Sequence, residues 1–367
     1  METPKHPWSR INHIFNPLIK EEDITTIFET GLKSVRKTNG IIQDIQDVID
    51  QKIDRLGLTG KKLLTLPKEV REGELGSAIK SDSAWQKAYQ ELLAHLAPNL
   101  DAGEVASHSE HILRPDWNSP QFGLVGYEFD KENNHLDLRG KVSHAYLSFL
   151  SSVRDENGNQ VYPDLKLDSM SVVGILVTKD NYLISGLRAG HNFADTIMNI
   201  PAGSVEPHSG QNPLYESIDA EFIEELALSR DEWKTTVNSG LVAMTEDHAS
   251  EQKRTYAVFR AETIMSKKDL TLNEIIKRWK ESAEDKGEHR RLEFYPNNPK
   301  YVLEKIKHNG FDYANAQLPL SNTSPENHGT ILPQCAINML AHFAQQSFPE
   351  GARNAEEYLE GRYKLIE

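Results

Sequence analysis

Glu221, Glu224 and Glu225 put three carboxylates at positions i, i+3 and i+4 of one short stretch, Ala220-Glu221-Phe222-Ile223-Glu224-Glu225-Leu226-Ala227-Leu228. On a helix turning about 100° per residue the three acids share an arc of roughly 100°. Tyr215, Ile218, Phe222 and Leu226 form an apolar stripe beside that arc. One edge of the helix can dock on a core while the next offers hard oxygen ligands, the donor type suited to Mg²⁺ or Mn²⁺ bridging substrate phosphates. An isolated run of acids is more often a solvated helix face, so the flanking segments have to decide.

Asn212 followed by Pro213 reads as an N-cap with proline at the first helical position. Upstream, Val172 to Val177 and Tyr182 to Arg188 are apolar runs around the turn Lys179-Asp180-Asn181, which predicts a β-hairpin. Downstream, Thr255 to Ala261 and the segment Glu288 to Pro296 read as strands, and a helix is expected to begin near Leu332. The loop Ile200-Pro201-Ala202-Gly203-Ser204-Val205-Glu206-Pro207 leads into the acidic helix.

Loop and helix together resemble the signature of the Nudix hydrolases: a glycine, five residues, a glutamate, seven residues, then Arg-Glu, an apolar residue, any residue, Glu-Glu, any residue, glycine and an apolar residue. Gly203 fits the opening glycine, and Glu221, Phe222, Glu224, Glu225 and Leu228 fit the distal half in register. The loop is three residues longer than the signature, which puts Asn212 where the first glutamate is expected. Ala220 stands at the arginine that usually orients a glutamate, and Ala227 at the late glycine. The resemblance spans roughly residues 168 to 347, and only the helix signature is specific.

The resemblance implies an α/β (α+β) fold, a Nudix α/β/α sandwich with a mixed β-sheet. It implies Mg²⁺ or Mn²⁺ held by Glu221, Glu224 and Glu225, with the Ala202 carbonyl joining the shell as in relatives that carry Pro-Ala-Gly. Glu224, Glu225 and Glu246 are then the candidate catalytic acids, with Glu246 in a loop after Leu241 to Met244. Glu216, Glu251, Glu284 and Glu288 are rival acids. Arg188 and Gly203 are expected to meet the substrate. The implied reaction is hydrolysis of a diphosphate bond in a nucleoside diphosphate linked to another moiety, with nucleotide sugars favoured by the Pro-Ala-Gly form. The missing arginine keeps a non-catalytic Nudix-fold nucleotide-binding or scaffold protein as the alternative. Isomerisation of an isoprenoid diphosphate is a third reading, for which Cys335 lies too far downstream of the signature to be the nucleophile.

At 367 residues with 38% hydrophobic content, two domains are the default. We expect an N-terminal, mostly helical extension with some strand over residues 1–155 and the Nudix domain over 156–367, with Asp155 to Asn159 as linker. In the extension, helices are predicted over Glu22 to Val35 and Ile41 to Leu56, separated by Asn39-Gly40, and from Ser83 to Leu96. A hairpin is predicted around Lys131 to Asn134. Such an extension is expected to complete the pocket or a homodimer contact. The net charge of −14 argues against nucleic-acid binding. No run approaches the ~18 apolar residues of a membrane span, and the cytoplasm is the expected location. The single cysteine, Cys335, sits in an apolar run and is expected to be buried. His108 and His111 lie three apart without a zinc partner.

Overall fold

A computed structural model describes residues 9–29, 32–60, 73–96, 120–144, 169–189, 196–207, 212–234, 238–247, 254–263, 270–302 and 330–347, with residues 66, 69, 70 and 161. The linker candidate Asp155 to Asn159, His108, His111 and Glu251 lie outside the described residues. The chain forms a mixed α/β structure. Its first part contains β1 (Ser9–Ile19), β2 (Ile24–Phe28), α1 (Leu32–Arg55), α2 (Glu74–Lys80), α3 (Ser83–Leu96), β3 (Pro120–Asp130) and β4 (His135–His144). Then come β5 (Ser169–Val177), β6 (Tyr182–Arg188), β7 (Thr196–Asn199), β8 (Ala202–Ser204), α4 (Pro213–Leu226) and α5 (Arg230–Trp233). The rest is β9 (Gly240–Asp247), β10 (Arg254–Glu262), α6 (Leu272–Ser282), a 3-10 turn (Lys286–Glu288), β11 (His289–Pro296), β12 (Thr330–Ile331) and α7 (Pro333–Ser347).

Among the described residues the strands join in one 12-stranded sheet with β5 at its centre. On one flank β5 pairs with β10 in parallel along its whole length, and β9 and β1 continue outward antiparallel. On the other flank β5 meets β3 at Ser169, β8 at Ser171 to Val173 and β6 at Val177. β6 in turn carries β11 and β7. Period-two alternation divides β5 between two cores. Met170, Val172 and Leu176 face the core that receives Tyr215, Ile218, Phe222 and Leu226 of α4 and Ile275 of α6. Val173, Ile175 and Val177 face the core that receives Ala336, Met339, Leu340 and Phe343 of α7. Helices therefore cover both faces of the sheet. Among the described residues no helix is long and apolar enough to cross a membrane.

The first part of the chain departs from its expected outline. The stretch expected as a helix from Glu22 instead forms β2, because Ile24-Thr25-Thr26-Ile27 is a β-branched run whose side chains are stiff in helices and fit a pleated surface. Helix α1 runs unbroken through Asn39-Gly40. Its stripe Ile41, Ile45, Val48, Ile49 and Ile53 buries against Trp85, Tyr89, Leu92 and Leu93 of α3, and that packing outweighs a glycine cost of about 1 kcal/mol. Strand β1 lies on β9, so residues on both sides of position 155 share the sheet. The expected helix α3 and the hairpin β3–β4 are present.

Helix α4 begins as its sequence indicates: the Asn212 side chain accepts a hydrogen bond from the Tyr215 N–H, and Pro213 fills the first turn. It ends at Ala227, which adopts the left-handed conformation with φ 53°. The Ala227 and Leu228 N–H groups return to the Ile223 and Phe222 carbonyls. A Cβ is disfavoured in that conformation. Ala227→Gly should therefore raise stability by about 0.5–1 kcal/mol, read as a higher urea midpoint at unchanged slope. An unchanged or lower midpoint would mean that the terminus is not strained.

Candidate functional site

The acidic helix face is turned inward onto the loop that precedes it. Strand β8 is held against β5, with Ala202 opposite Val173 and Gly203 opposite Val172. Gly203 is where Glu221 approaches the backbone: a Cβ on residue 203 would lie 1.6 Å from Glu221 Oε1. One helical turn on, Glu225 is buried at 4% exposure. Its Oε2 accepts a hydrogen bond from the Ala202 N–H at 2.8 Å, and its Oε1 lies 3.2 Å from His289 Nε2. Glu224, between them in the chain, is half-buried.

The other wall comes from the 3-10 turn and β11. The Asp285 N–H donates to the Glu224 carbonyl at 3.1 Å, and the Ala189 N–H donates to the Glu288 carbonyl at 2.7 Å, so the turn is tied to both α4 and the end of β6. Arg188, the last residue of β6, forms an ion pair with Glu288 at 3.1 Å. Glu225, Glu288 and His289 each offer a ligand atom, all within 4.8 Å of one another.

Burial, and then the neighbouring Glu225, Glu224, Glu288 and Asp285, raise the Glu221 carboxyl well above the ordinary range. Burial likewise pushes Glu225 up to about 8, against the pull of the Ala202 N–H and of Arg188. His289 is pushed down to about 4, first by burial and then by Arg188, so its ring is neutral near pH 7. Acids of one sign are thus crowded where water screens them little, an arrangement that favours either protons or a cation.

Of the residues expected from the sequence, Glu221, Glu224, Glu225, Ala202, Gly203 and Arg188 are brought together here. Glu246 is not a loop residue. It lies within β9, 2% exposed, opposite Arg10 of β1 and Thr255 of β10. The apolar run Leu241 to Met244 simply continues as strand to Asp247. Asn212 serves the helix cap and donates to the Glu21 carbonyl at 3.0 Å, a structural role. Glu216 lies half-buried in the first turn of α4. Glu284 lines a groove of about 550 Å³ along the outer face of α4 with Ile223 and Arg278. The Arg278 guanidinium there is engaged by Glu232 and Glu274. Cys335 is buried in α7, its thiol pushed up to about 12 by burial. His289 is the residue that sequence reasoning missed; it was visible only as part of a predicted strand.

No family model matches the chain, and no curated protein matches it.

The shifted groups fix a pH dependence. For Glu225 the folded-state value of about 8 exceeds the ordinary 4.5, so its contribution to stability is complete below about 4.5 and lost as pH rises through about 8. For His289 the folded value of about 4 lies below the ordinary 6.5, so its contribution is present above 6.5 and lost as pH falls through about 4. In EDTA, the urea midpoint should fall between about pH 6.5 and 8, and Glu225→Gln should flatten that fall. A fall equally steep in the variant would place the responsible group elsewhere.

Proposed function

We propose that this chain is a Nudix-type pyrophosphohydrolase, a metal-dependent hydrolase of the diphosphate bond in a nucleoside diphosphate linked to another moiety, with nucleotide sugars the favoured class. The observation that carries the reading is the closure of Gly203 onto Glu221, where a Cβ would fall 1.6 Å from the carboxylate. A glycine and an acid eighteen positions apart, both picked out by one signature, lie against each other, which supports the reading. The Ala202 N–H on Glu225 extends the same contact to the second acid.

Mg²⁺ or Mn²⁺ fits the donor set. Glu221, Glu224 and Glu225 would hold it, with Glu288 facing them across the site. The crowding that raises Glu221 and Glu225 toward their neutral forms is what a cation would relieve. Bound there, a cation would supply charge to offset the diphosphate and to lower the pKa of a water. The protein's own groups do the rest. The Ala202 N–H fixes one oxygen of Glu225, Arg188 carries positive charge to the rim beside Glu288, and a carboxylate of the cluster accepts the proton from the attacking water. Glu246, held within the sheet, is not assigned that step.

A non-catalytic nucleotide binder is the second reading, favoured by Ala220 in place of the orienting arginine and by Asn212 being committed to the helix cap. The two part on turnover. With Mg²⁺ or Mn²⁺ and a panel of nucleoside diphosphate conjugates, wild type should release nucleoside monophosphate. Glu224→Gln and Glu225→Gln should each lower kcat by on the order of 100-fold or more while the fold persists. Metal-dependent binding of a conjugate with no product from any panel member would establish the binder instead.

A further inference from the structure

We propose that His289 is the positioning residue for Glu225, taking the orienting part that Ala220 cannot play. This rests on the reading of the acidic cluster as a divalent-metal site. The His289 side chain is 1% exposed, and its Nε2 lies 3.2 Å from Glu225 Oε1. Its other nitrogen, Nδ1, is buried without a hydrogen-bond partner among the described residues. Nδ1 faces Gly186, where a Cβ would sit 2.3 Å away.

That asymmetry sets the tautomer. A buried N–H without an acceptor is costly, so the ring proton belongs on Nε2, and Nδ1 presents only a lone pair to the Gly186 backbone. The Nε2–H then donates to Glu225 Oε1 while the Ala202 N–H donates to Oε2. With one donor on each oxygen, the carboxylate plane is fixed, and each oxygen keeps a lone pair for another partner. The same tautomer makes His289 an orienter rather than a ligand, because a ligating Nε2 would move the proton to Nδ1, where no described residue receives it.

The backbone is shaped for this contact. The pairing of β11 with β6 slips between His289 and Arg291, a bulge of the kind that re-aims a side chain, and Gly186 on β6 leaves the space the ring occupies. The arginine that Ala220 replaces would have acted from the helix itself. His289 reaches it from a strand 64 residues further along the chain.

Calorimetric titration with Mn²⁺, on variants whose circular dichroism matches wild type, tests the assignment. His289→Ala should weaken Mn²⁺ binding by about 10–100-fold. His289→Gln, whose amide N–H can reach the same oxygen, should recover most of the loss. Gly186→Ala, which displaces the ring without removing it, should behave like His289→Ala. Wild-type affinity in both His289→Ala and Gly186→Ala, with Glu225→Gln impaired, would overturn the positioning role and leave the metal site standing. Absence of Mn²⁺ binding in wild type would instead remove the metal site. Histidine ¹⁵N spectra judge the contact on their own: a proton on Nδ1 of His289 would overturn it whatever the metal does.

Discussion

The burial of like charge on one turn of α4 is the constraint around which this structure is arranged. Glu221, Glu225 and their neighbours Glu288 and Asp285 repel one another in a setting that also strips water from Glu225. A helix with such a face would ordinarily turn it outward. Here the adjoining edge carries Ile218, Phe222 and Leu226, all fully buried, and Trp233 stacks on Phe222 at 4.9 Å between ring centres. Truncating a core aromatic of this kind typically costs about 3–5 kcal/mol. Apolar packing thus fixes the roll of the helix, and the acids must accept the loop at Gly203, the Ala202 N–H and His289 as their surroundings.

The N-terminal segment is bound into the same helix from its other end. The Tyr215 hydroxyl donates to the Ile19 carbonyl at 3.0 Å, and Asn212 donates to the Glu21 carbonyl. The Glu21 carboxylate is held by Arg230 and Lys234 just beyond α4, and Arg230 also pairs with Asp219 at 3.0 Å. These partly exposed pairs are each worth little alone, but as a network they tie the turn after β1 to the helix. With β1 closing the sheet against β9, that strand is part of the scaffold that holds the acidic helix.

Local signals carried much of this arrangement in the sequence. The spacing of Tyr215, Ile218, Phe222 and Leu226 marked the buried stripe, Asn212-Pro213 marked the start of α4, and the turn at Lys179 to Asn181 marked the break between β5 and β6. Each depends on neighbours within a turn or two. What stayed hidden depends on pairing across long separations. The contact of His289 with Glu225 follows from the β11–β6 register and its bulge, which no periodicity encodes. The same holds for β1 on β9. Glu246 was misplaced because polar residues at a strand end look like the start of a loop, and only two flanking strands show that β9 continues through it. In β2 the helical spacing of apolar residues competed with β-branched composition, and pairing with β4 decided for strand.

The central claim is that the inward-facing acids of α4 hold a divalent cation. Anomalous diffraction from crystals soaked in Mn²⁺ addresses it without reference to any substrate. The account predicts a peak among the carboxylates of Glu221, Glu224, Glu225 and Glu288, in front of the Ala202-Gly203 turn. A fully soaked crystal with no peak there, or with Mn²⁺ only at other sites, would contradict it.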